Sequence, residues 1–165
     1  MTSLIRSCLL AASMLLAAQA ALAHDDATLD RMKAPHGGQL RAAGSLHYEL
    51  VLAPMDARGA ALPVAVYLTD HGGNAVPSAG ASGTVTLLAQ GRKTQVKLVP
   101  AGDNLLKGEG AYQPGATLKA IVSVTPKGLP AAQARFTPYA APAAQHVHDH
   151  GHDHAGHGAH GTHKH

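Results

Sequence analysis

Cysteine is nearly missing from this 165-residue chain: Cys8 is the single one, and it lies in a segment expected to be removed. Disulfides, thiolate metal sites and a cysteine nucleophile are thereby excluded from the mature protein. Aromatic residues make up 3% of the chain, with Phe136 the single phenylalanine, so stacking platforms for single-stranded nucleic acid are lacking. Lysine and arginine are scattered, and a formal net charge of +3 is too small to mark a nucleic-acid binder. Long apolar runs are missing as well. Only residues 8–18 approach one, short of the roughly 20 apolar residues that a membrane-crossing helix needs, so no stable membrane insertion is expected. There is no Gly-rich phosphate loop, no H-E-x-x-H and no triad pattern, and no internal repeat stands out. The expectation is a binding protein, not an enzyme.

What is present begins with an export signal. Residues 1–23 have the layout of a secretory signal peptide: Arg6 gives the positive start, Cys8 to Ala18 the apolar stretch, and Ala21-Leu22-Ala23 an A-x-A cleavage site. Cleavage after Ala23 predicts a periplasmic protein beginning at His24. The free amine and imidazole of His24 would chelate Cu(II) together, as in histidine-brace proteins, although nothing downstream supplies a clear second imidazole.

The body reads as all-β. Residues 24–33 are polar and short, a flexible start with at most one loose helical turn. Residues 34–139 carry short runs rich in Val, Leu, Thr and Tyr at intervals of about ten residues, broken by Gly, Pro, Asn and Asp. This pattern predicts an Ig-like antiparallel β-sandwich of about seven to eight strands. The expected strands are Gly38–Ala42, Leu46–Ala53, Leu62–Thr69, Gly83–Ala89, Thr94–Val99, Asn104–Lys107, Thr117–Thr125 and Ala132–Thr137. Alternation supports them: Leu46, Tyr48, Leu50 and Leu52 share one face, as do Val64, Val66 and Leu68. Residues 140–145 form a Pro/Ala linker.

The C-terminal stretch, residues 146–165, has nine histidines in twenty positions: His146, His148, His150, His152, His154, His157, His160, His163 and His165. Their neighbours are mostly Gly, Ala and Asp, so the segment cannot bury enough apolar surface to order itself, and a disordered tail is expected. Neutral imidazole ligates Zn, Ni, Co and Cu(II), and His-rich tracts are a compositional sign of metal binding. Interruption by Gly, Ala and Asp sets the run apart from an expression tag. A solvated tail with incidental affinity is the plainer alternative.

Three histidines lie in the body. His47 and Glu49, two apart on a strand, point away from the Leu46, Tyr48 and Leu50 face. If Ala43-Gly44 makes the hairpin turn, Val51 falls opposite His36 with Glu49 diagonal to it. His36, His47 and Glu49 then form an N,N,O half-site for Zn or Ni. A one-residue slip would scatter them, and a histidine on a polar strand face is usually only solvated. Glu49 has an alternative partner in Arg41. His71, in Asp70-His71-Gly72-Gly73, fits a turn residue as well as a ligand.

Pro35-His36-Gly37-Gly38-Gln39-Leu40, Tyr48-Glu49-Leu50-Val51 and Pro63-Val64-Ala65-Val66-Tyr67 together resemble the extra N-terminal periplasmic domain of some cobalt–zinc–cadmium RND efflux adaptors (membrane fusion proteins). Val85-Thr86-Leu87, Pro100-Ala101-Gly102-Asp103-Asn104-Leu105, Gly108-Glu109-Gly110 and Tyr112-Gln113-Pro114 continue the likeness in order, over roughly Ala34 to Phe136. The resemblance implies a β-sandwich and a periplasmic role in divalent-metal resistance. The coiled-coil hairpin, lipoyl-like and barrel domains of such adaptors have no counterpart here, which favours an accessory protein. The functional expectation is a periplasmic buffer or metallochaperone for a divalent transition metal (Zn, Co, Ni or Cu(II)), with an RND-type efflux system as possible partner. The alternatives are an interaction module that docks on a metal transporter or sensor, and a copper-trafficking protein.

Overall fold

The computed structural model describes residues 26–140. The expected signal peptide, His24 and the histidine-rich tail lie outside the described residues. A short helix, α1 (Asp26–Leu29), precedes eight strands: β1 (Gln39–Ala43), β2 (Leu46–Leu52), β3 (Leu62–Asp70), β4 (Ser82–Ala89), β5 (Arg92–Pro100), β6 (Leu105–Gly110), β7 (Lys119–Thr125) and β8 (Ala132–Phe136). Each coincides with an expected strand, with no end displaced by more than three residues.

All neighbours are antiparallel, in the order β1-β2-β3-β6-β5-β4-β7-β8. The continuous sheet folds over at β5, which pairs with β4 from Arg92 to Leu98 but with β6 only at Val99 and Pro100. Two four-strand halves therefore face each other. Their inward residues build one core, from Leu46, Tyr48, Leu50, Val64, Val66 and Leu68 on one side to Val85, Leu87, Val122, Val124 and Phe136 on the other. Each fully buried aliphatic or aromatic side chain of this kind contributes about 1.5–3 kcal/mol by leaving water.

Glycine makes the fold-over possible. A β-carbon on Gly108 would collide with the backbone oxygen of Lys97 and sit 2.7 Å from Val96 Cγ1. In a strand, glycine marks such close backbone approach.

The turn chemistry corrects one expectation. The β1–β2 loop is Gly44-Ser45, not Ala43-Gly44, and Ala43 pairs with Leu46. Gly44 takes a φ of 61°, as the first loop position of a II′ hairpin demands. Ala43, which carries a β-carbon, stays in the strand. The ladder is thereby shifted two residues from the expected register: Leu50 faces Gln39 and Glu49 faces Leu40. A shift of two preserves which face each side chain occupies.

Residues before β1 are docked on the sheet. Leu29 is 1% exposed. Asp30 Oδ1 accepts from Arg41 Nη1 at 2.7 Å and Oδ2 from Nη2 at 3.1 Å, while Asp26 lies 3.5 Å from Arg41 Nε. Arg41 is buried on edge strand β1, so these carboxylates compensate its charge. The alternative of an Arg41–Glu49 pair is not what forms. Among the described residues no helix is long and apolar enough to cross a membrane.

Candidate functional site

The outward side of β2 and β3 gathers every histidine of the described residues. On β2, His47 and Glu49 face Thr69 and Tyr67 of β3 across the ladder. Neither is solvated as a polar-face residue would ordinarily be: His47 is 5% exposed and Glu49 3%. Each is covered by an imidazole supplied from a loop.

The turn ahead of β1 brings His36 over Glu49. Gly37, with φ 75°, allows the chain to double back there. Glu49 Oε1 accepts from the backbone N–H of His36 at 2.8 Å and of Gly38 at 3.0 Å, and Oε2 lies 2.8 Å from His36 Nδ1. A carboxylate can only accept, so facing one, Nδ1 is the donor, and in the neutral tautomer that fits this contact the lone pair is on Nε2. A ring nitrogen bonded to carboxylate while the other is left to ligate is the arrangement that orients metal-bound histidines. The His36 ring also lies flat on Tyr67, with centroids 3.5 Å apart and planes 2° from parallel.

At the far end of β3, Asp70 closes a tight turn. Its Oδ1 accepts from the N–H groups of Gly72 and Asn74, and its Oδ2 accepts from Asn74 Nδ2, at 2.8 to 2.9 Å. These bonds hold its carboxyl below the usual range, the side-chain bond from Asn74 first. The turn lays His71 on His47, with ring centroids 4.7 Å apart and planes inclined by 25°.

The expected N,N,O set is therefore divided. His36 joins Glu49, and His47 joins His71. Among the described residues, no three His, Cys, Asp or Glu side chains come close enough to share a metal ion. Glu49 serves as the orienting group of His36, since its two oxygens are already engaged. The pairing of His47 with His71 and the stacking of His36 on Tyr67 were not read from the sequence. Tyr67 becomes visible only with the β2–β3 register, and His71 only with the shape of its turn.

One concave feature lies apart from this face. A cleft of about 450 Å³ opens near the start of β3, lined by Leu62, Leu87 and Tyr112 and flanked by Arg58, Arg92 and Lys93. It contains no histidine or carboxylate.

No family model matches the chain, and neither a curated protein nor a solved structure does. The likeness to efflux-adaptor domains thus rests on the quoted residues alone.

Proposed function

We propose that this chain is an exported divalent transition-metal-binding protein that buffers Zn, Co, Ni or Cu(II), or hands it to an export system. The observation that carries this reading is where the histidines fall. Nine crowd into residues 146–165, and the three of the described residues, His36, His47 and His71, share one outward face. Imidazole is the common ligand for these metals, and closely spaced donors give many overlapping sets with rapid exchange. Asp149 and Asp153 add oxygen donors. The export signal at residues 1–23 supports a periplasmic setting, and the resemblance to cobalt–zinc–cadmium adaptor domains supports a role beside metal efflux.

Calorimetric titration with Zn, Ni and Cu(II) at neutral pH, on the full chain and on a chain cut after Ala144, tests the reading. A steep fall in the number of ions bound on truncation is the expected result. An unchanged stoichiometry would remove the tail from the proposal. Uptake by the full chain no greater than that of an unrelated β-sandwich would overturn the reading altogether.

A further inference from the structure

We infer that His47 and His71 form a folded two-imidazole metal site of their own, separate from the histidine-rich tail. The inference rests on the metal-capture reading above, applied to the sheet in place of the tail. His47 is set rigidly on β2, opposite Thr69 of β3 and beside Ala42 of β1, and is buried at 5% exposure. His71 leaves the end of β3 on a turn that the bonds of Asp70 hold together. Asp70 binds Gly72 and Asn74, the backbone N–H of Gly73 donates to the carbonyl of Asp70 at 3.0 Å, and Gly73 takes a φ of 82°. Two nitrogen donors are thus held in ring contact by elements that need no metal to form. In the stacked contact the ring lone pairs lie in near-parallel planes, so the exposed His71 ring must turn about its side-chain bonds to bring one nitrogen from each ring to the 2.0–2.1 Å that Zn takes to imidazole.

The donor set also selects the ion. Both oxygens of Asp70 are committed to the turn and both of Glu49 to the His36 loop, so the face presents nitrogen without spare carboxylate. Hard cations such as Ca²⁺ and Mg²⁺ ask for oxygen ligands. Borderline ions, Zn, Ni, Co and Cu(II), accept imidazole. Two protein donors leave the remaining positions open to water or to incoming imidazoles. That incompleteness suits a site that receives an ion and passes it on.

The test is NMR on the full chain titrated with Co(II), whose paramagnetism erases the signals of nearby nuclei, in the wild type and in His71→Gln. His71 is exposed and the bonds of Asp70 do not involve its ring, so this variant leaves the turn intact. The expected result is loss of the amide signals of residues 46–48 and 70–73 in the wild type and their retention in His71→Gln, with tail signals lost in both. His47→Gln, where it folds, should behave in the same way. Signals of 46–48 and 70–73 that persist in the wild type at Co(II) levels that erase the tail would overturn the inference. So would their loss in His71→Gln. A silent tail beside a responsive pair would instead overturn the tail's part in the proposed function and leave the two-imidazole site standing.

Discussion

Glu49 is the residue on which the histidine face turns. Burying a carboxylate costs several kcal/mol unless it is bonded, and three contacts to His36 and Gly38 answer that demand. Glu49→Gln keeps one acceptor oxygen but turns the other bonding position into a donor facing His36. It should destabilise the fold by about 1–2 kcal/mol in urea unfolding. Glu49→Ala leaves the N–H groups of His36 and Gly38 without their acceptor and should cost about 3 kcal/mol. Equal stability of both variants and the wild type would show that the carboxylate does not hold the loop. At this scale the sequence was legible in direction only. Alternation placed His47 and Glu49 on the outward face, yet nothing in the string marks Glu49 as bonded to a loop instead of to solvent.

Among the elements, β5 and β6 carry the decisive contact. The sheet folds over where Gly108 lets Lys97 and Val96 pass close to its backbone. Gly108→Ala should therefore lower stability by about 2–3 kcal/mol, the scale of forced overpacking. A β-carbon on Gly115 would meet nothing within 4 Å. Gly115→Ala is the control and should leave the unfolding midpoint nearly unchanged, as thermal or urea denaturation can check. The strands themselves were legible because several alternate and turn formers such as Gly, Pro, Asn and Asp break the chain between them. The β1–β2 register was not, because both Ala43-Gly44 and Gly44-Ser45 are short enough to close a hairpin. The demand for a positive φ at the first loop position decides between them.

For the whole molecule, stability against pH follows from groups whose ionisation the fold disfavours or favours. Burial pushes Tyr48 up to about 12. Burial first, then the nearby Tyr112, does the same to Tyr139, also to about 12. Tyr112 is raised by burial, partly offset by its bond from Ala53. Below pH 10, the ordinary phenol value, these rings are neutral in both folded and unfolded chains and the stability they favour is complete. As pH climbs from 10 toward 12 the unfolded chain releases its protons first, and stability falls. Tyr48 Oη has no hydrogen-bond partner among the described residues, so Tyr48→Phe should raise stability at neutral pH by about 1 kcal/mol and flatten the alkaline decline. On the acid side, the hydrogen bond from Arg41 holds Asp30 below its ordinary 3.8. That contribution is present above 3.8 and disappears as pH drops through the lower folded value, so Asp30→Asn should flatten the acid limb. Equilibrium denaturation from acid to alkaline pH measures both limbs.

The amino-acid string determined the all-β class, the placing of the strands and the sidedness of those that alternate, such as β2 and β3, because a period of two residues and the turn formers are local properties. It also carries the imidazole density of residues 146–165, which is composition and needs no fold to be read. Tertiary structure alone decided which histidine meets which partner. His36 reaches Glu49, and His71 reaches His47, through loops whose paths depend on glycine torsions and a carboxylate-closed turn. Contacts of that kind join residues 13 and 24 positions apart in the chain, and their geometry exists only once the β1–β2–β3 ladder is in register.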